Sequence, residues 1–491
     1  MAACRRSHWE KILGVWPSCL AALLIAFAFS AAGAASLAVK PAVDQKPAAL
    51  APDDVSWLFP PPRTVKDLDN TIAIADLLSI DPSDPEKRQP ILPEATFKQF
   101  VAIVESDDTK IGDHRVFLPA DAHNLKNWRV AGIRIDPGAP GLSPAVIGQF
   151  GQTPQLRFIL QPITVHPDGF VEIHDVAAHL IYNFVPGGLK GVALPAAFGC
   201  LPRAVPEIEA FHDLARDFRG LRDQLAAGAF GGQAVSTSGT LLGVHPGLAN
   251  AATAKPLRDA LVRVLEKHLS SKRFGGLAIM GLADHGPEPW VFLATARLVP
   301  HIDQLFAVRG PALDGRQLAQ ALAVKDTPHQ VAPTPATNNL NPITCKNAGL
   351  LFGAELLPVS ARKGVSTAEL FDLGDKELTD PKAKARVKEV VDVIADPTRS
   401  HFFNTDCVSC HTDTRRTLDL LGSGAQIPGV DPAALPGNKW NVRNFGWSLS
   451  KPADPTKPGD KSVEAASTAT RRAASETRAV VDYVNSHGLA N

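Results

Sequence analysis

The stretch Gln155-Leu-Arg-Phe-Ile-Leu-Gln161 alternates polar and apolar residues, with Leu156, Phe158 and Leu160 opposite Gln155, Arg157 and Gln161. A period of two predicts a strand buried on one side. The same reading applies to Arg129–Ile135, where Ala131, Ile133 and Ile135 share a face. Further along, Ile208, Phe211, Leu214, Phe218, Leu221 and Leu225 recur at helical spacing, and Leu257, Leu261, Val264, Leu265 and His268 repeat the pattern. Both segments predict amphipathic helices. Leu277–Leu282 and Trp290–Ala296 are continuous apolar runs of strand length, as in a sheet covered on both faces. Ahead of these elements, the Pro- and Ala-rich Leu37–Arg63 reads as an extended arm over the surface. Interleaved strands and helices of this kind give an α+β (mixed α/β) N-terminal domain over residues 36–372.

The whole chain has 491 residues, 45% of them hydrophobic, with 50 Lys+Arg against 50 Asp+Glu. That length allows two or three domains with cores of their own. Balanced charge without like-charge blocks excludes the electrostatic footprint of a nucleic-acid binder or a polybasic membrane-surface protein. Residues 1–35 have the layout of a secretory signal: Arg5, Arg6 and Lys11, then the apolar run to Phe29, then a small-residue exit near Ala34–Ser36. The expectation is export, to a periplasm or beyond, with no membrane span once the signal is removed. Cys4 and Cys19 leave with it, so Cys200, Cys345, Cys407 and Cys410 remain. In an oxidising compartment Cys345, which follows the irregular, Pro-rich Lys325–Thr344, would most simply bond Cys200. The alternative is two separate buried thiols.

Cys407-Val-Ser-Cys410-His411 is a Cys-x-x-Cys-His sequence, the attachment signature of c-type haem. The spacing follows from the chemistry. Two thiols on one helical turn can add across the two vinyl groups of one haem, and the next residue presents its imidazole to the iron. A thioredoxin-type redox pair needs a βαβ context, and a zinc half-site needs a second Cys or His pair nearby. Neither context is evident in the sequence.

With that motif, residues 373–491 resemble a single-haem cytochrome c domain, so a small all-α domain is expected after the mixed one. The resemblance extends to a helix at Pro381–Ala395, with Val387, Val390, Val391 and Ile394 on one stripe, and to a closing helix at Glu464–Asn485. Between them, Trp440-Asn-Val-Arg-Asn-Phe-Gly-Trp447 offers either walls for a porphyrin or ordinary core. The resemblance implies one covalent haem c, with His411 as the proximal iron ligand.

The family's usual second ligand, a methionine after the haem, is missing: the chain has two methionines, and none lies beyond Met280. Three arrangements remain. Histidine ligation by His487, or by His401 just ahead of the motif, gives a six-coordinate electron carrier. A vacant or water-filled position gives a catalyst or a sensor. In the third, Met280 or a histidine of the first domain reaches the iron. A single motif makes resemblance to two-haem peroxidases poor, so a redox partner protein is expected. The functions in view are a haem oxidoreductase whose first domain shapes a substrate pocket, an electron carrier, and a non-catalytic haem sensor or partner-binding module. Oligomeric state has no signature in the sequence.

In the first domain, His166, Glu172, His174, Asp175 and His179 crowd into fourteen residues. On a strand, Glu172 and His174 share a face, which could begin a metal site. The competing reading is a polar outer face.

Overall fold

The computed structural model describes residues 49–81, 84–107, 116–139, 142, 153–184, 207–237, 239–282, 290–297, 305–308, 318–320, 380–398, 407–422, 424–436, 444–451 and 463–487. The signal segment, Cys200, Cys345, His401 and Trp440 lie outside them, as does the boundary expected at 372/373.

The alternating stretch becomes β5 (Thr153–Val165), central in a nine-stranded sheet in which every pairing is antiparallel. Its path runs β1 (Ser56–Leu58), β4 (Trp128–Ala139), β5, β7 (Val176–Asn183), β8 (Phe274–Leu282), β9 (Trp290–Arg297) and β10 (Leu305–Val308). Beside this path, β6 (Val171–Ile173) pairs with β5, and β11 (Leu318–Gln320) pairs with β9. A separate ribbon is formed by β2 (Leu78–Asp81) and β3 (Asp84–Pro90).

The helices are α1 (Pro52–Val55), α2 (Glu94–Val104), α3 (Ile208–Ala226), α4 (Pro246–Ala249) and α5 (Ala254–His268), followed by α6 (Pro381–Ala395), α7 (Cys407–Leu421) and α8 (Arg471–Ser486). The two amphipathic stretches of the first domain are α3 and α5, and the apolar stripes on both are buried.

Neighbouring residues of β1 show how the sheet is covered. Trp57 packs on Phe218 of α3, with ring centroids 5.7 Å apart. Ser56 points the other way and bonds Thr477 of α8 at 2.7 Å. At β1, therefore, one face meets α3 and the opposite face meets C-terminal elements. Among these are β12 (Phe445–Lys451) and β13 (Val463–Ala469), an antiparallel hairpin in contact with β4 and β5. Trp447 in β12 is fully buried and donates from Nε1 to the Phe59 carbonyl at 2.8 Å. Its backbone N–H donates to Gln161 Oε1 at 2.7 Å. Gly446 makes this approach feasible, because a Cβ there would stand 3.0 Å from Gln161 Oε1. By its contacts the chain from Pro47 to Asn491 is one compact unit.

Three expectations need correction. The C-terminal segment is not a small all-α domain: it contains the β12–β13 hairpin, and its strands and α8 share the core of the sheet. The closing helix does not begin at Glu464, because residues 463–469 pair with β12. The helix starts only after Thr470, whose side chain accepts from Ala473 N–H as an N-cap. The arm is not purely superficial either. Its Trp57, Leu58 and Phe59 are fully buried, because three large apolar residues gain more by joining the sheet edge than by remaining in water.

Candidate functional site

The Cys-x-x-Cys-His sequence opens α7, with Cys407 as the first helical residue and Cys410 and His411 following within the next turn. Residues three and four apart on a helix are neighbours, so Cys407 shares one side of the backbone with Cys410 and with His411. The side chains of residues 407–412 lie outside the described set. As a donor set, two thiols and one imidazole grouped at a helix start fit covalent haem c.

The next two turns of α7 anchor it. Thr414 Oγ1 accepts from Arg471 N–H at the start of α8 (2.8 Å), and Arg471 also pairs with Asp392 of α6 at 2.6 Å. Asp413 is fully buried, and its Oδ1 accepts from Thr414 at 3.2 Å. Burial pushes the Asp413 carboxyl up to about 7, against the pull of Arg471; its Oδ2 has no protein partner. Neither Asp413 nor Arg471 was marked by the sequence, since no spacing rule links residues so far apart along the chain.

The second-ligand candidates are widely placed. His487 follows α8 and is exposed, its ring stacked on Tyr483 with centroids 4.0 Å apart. Its Nδ1–H donates to the Tyr483 carbonyl at 2.8 Å, which leaves Nε2 as the nitrogen able to ligate a metal. Met280 is half-buried in β8, between Ala177 of β7 and Phe292 of β9. Phe445 and Trp447 belong to the main hydrophobic core, which is the ordinary-core reading for that part of the aromatic stretch.

The histidine-rich segment closes on itself. His166 Nε2 meets Glu172 Oε2 at 2.9 Å. His174 Nε2 lies 2.7 Å from Thr164 Oγ1, which donates onward to Asp121. Burial holds His174 below its ordinary value, against the opposing pull of Glu172 and Asp121. Asp175 is buried, whereas His179 is exposed on β7. Glu172 lies on β6 and His174 directly after it, and hydrogen bonds occupy both side chains. Among the described residues no three His, Cys, Asp or Glu side chains are arranged to hold a metal ion. Among them, too, no helix is long and apolar enough to cross a membrane.

Compared with protein-family models, with curated proteins and with solved structures, the chain gives no match.

Proposed function

We propose that this chain is an exported redox protein carrying one covalent haem c, bound through Cys407 and Cys410 with His411 as proximal ligand. The observation that carries this reading is the placement of all three residues in the opening turns of one helix. That spacing suits addition of each thiol S–H across a vinyl C=C, the sulfur going to one carbon and the hydrogen to the other, with no oxidant consumed. When bound, the haem supplies a one-electron iron centre. The protein's part is positional: Thr414 and Arg471 fix α7 against α6 and α8 through the hydrogen bonds described above. A redox partner supplies or removes the electrons.

The oxidoreductase form of this reading is the one we favour, with the distal side of the iron open to a small ligand. His487 lies 16 residues beyond Arg471, where α8 meets α7, a separation of ~24 Å along the helix axis. Met280 is held within the sheet. This placement counts against His487 and Met280 as second ligands, and the open position is the form the proposal takes.

Absorption spectra of the reduced holoprotein with and without carbon monoxide test the proposal. An immediate, large shift is expected, and His487→Ala and Met280→Leu should leave the spectrum of the reduced protein unchanged. Absence of a shift would replace the oxidoreductase with a six-coordinate electron carrier. Haem that stays with the denatured chain after Cys407→Ala/Cys410→Ala would overturn the attachment itself.

A further inference from the structure

Three buried polar groups share one neighbourhood where α1, β1, α3 and α4 meet. α1 runs directly into β1, so Asp54 and Trp57 are three residues apart, and both face α3. Asp54 Oδ2 accepts from Arg222 at 2.6 Å, and the Trp57 ring lies against Phe218, one turn earlier on α3. Trp57 also stacks on His245, the residue that caps α4, with centroids 3.9 Å apart and ring planes within 7°. Asp54 and Trp57 are 0% exposed, and His245 is 1% exposed. Each nevertheless has one polar atom without a protein partner: Asp54 Oδ1, Trp57 Nε1 and His245 Nε2.

The protons at this junction can be assigned. His245 Nδ1 accepts from Gly247 N–H at 3.2 Å, so the ring proton is on Nε2. Burial pushes this histidine down to about 3, which keeps the ring neutral. Trp57 Nε1 can only donate. The junction therefore presents two N–H donors and one carboxylate oxygen. A buried polar group left unpaired costs ~1–3 kcal/mol, and native structures rarely leave several together. The complement to this set accepts from the two rings and donates to the carboxylate. Water does both, whereas an anion would be repelled by Asp54 and a metal cation by the two N–H groups.

We propose that ordered water, one molecule or a short chain, is bound internally where α1, β1, α3 and α4 meet, accepting from Trp57 Nε1–H and His245 Nε2–H and donating to Asp54 Oδ1. The hydration site fastens α1 and the β1 edge to the helical layer.

Nuclear magnetic resonance of the full-length protein with 15N-labelled tryptophan reads the site directly. Trp57→Phe identifies the Trp57 indole signal by its loss. The expected result is a cross-peak between the Trp57 indole N–H and water, with the sign of a molecule tumbling with the protein. No such cross-peak, with the indole signal present and sharp, overturns the proposal. If Trp57→Phe does not fold, a high-resolution crystal structure of the unaltered chain decides. A water ~2.7–3.2 Å from Trp57 Nε1 supports the site; dry surroundings at both rings overturn it.

Discussion

Glu476 joins three elements through one carboxylate. It accepts from Arg472 on its own helix at 2.7 Å and from Arg134 of β4 at 2.8 Å, while Arg472 reaches the Ile394 carbonyl at the end of α6 at 2.8 Å. Burial alone would raise its pKa, but the two guanidinium groups dominate and hold it at about 2. A carboxyl whose folded pKa lies below its unfolded value, ~4.3, stabilises fully above that value. The contribution is lost as pH falls through about 2. The side chain is 33% exposed, so screening trims the effect, and Glu476→Gln should cost on the order of 2 kcal/mol at pH 7. Urea denaturation from pH 7 to pH 2 should show the gap between the two proteins closing toward the acid end; a constant gap would mean the charge is not what matters. None of this network could be read from sequence. Arg134 and Glu476 are 342 positions apart, and local spacing carries no information at that range. Cys407, Cys410 and His411 were marked in the sequence because their motif is confined to five consecutive residues.

Helices and strands differed in how far local pattern decided them. α3, α5 and α6 begin and end within a residue or a few of their sequence reading, because a long amphipathic stripe leaves no competing element. Glu464-Ala-Ala-Ser-Thr-Ala469 misled, since its alanines favour a helix while the pairing partner, β12, lies some twenty residues upstream. Tertiary pairing overrode propensity, and Thr470 was the one local sign of the true helix start. Ser56–Leu58 was missed because three residues are too few to show a period. How closely β12 sits on the sheet is measurable at Gly132, where an added Cβ would stand 2.6 Å from Phe445 Cε1. Gly132→Ala should destabilise by ~1–3 kcal/mol through overpacking. Pairing it with Phe445→Leu should restore part of the loss, because the smaller side chain vacates the contact. Thermal melts of the two single variants and the double variant measure the coupling; strict additivity would show that the hairpin and β4 do not press on each other.

At the scale of the molecule, the order of elements along the chain hides the order of layers. The sheet is assembled from residues 56–320, yet its second face is covered by strands and a helix beyond residue 444. The covering contacts satisfy groups the first part of the chain cannot satisfy alone. The Phe59 carbonyl accepts from both Trp447 Nε1 and Ser467 Oγ, each at 2.8 Å, and Gln161, 0% exposed, is bonded through both ends of its amide to Trp447. Removing the cover would expose an apolar sheet face and strand these polar groups at a cost in stability comparable to the whole margin of a typical domain. A fragment ending at residue 379 should therefore be expressed without fixed tertiary structure. Near-ultraviolet circular dichroism should be lost and a hydrophobic dye bound, whereas the full chain should melt with the two halves of its core in one transition. A fragment that keeps its near-ultraviolet signal and unfolds cooperatively would show instead that the sheet stands without its C-terminal layer, and that the haem-motif helix is carried on a separable piece.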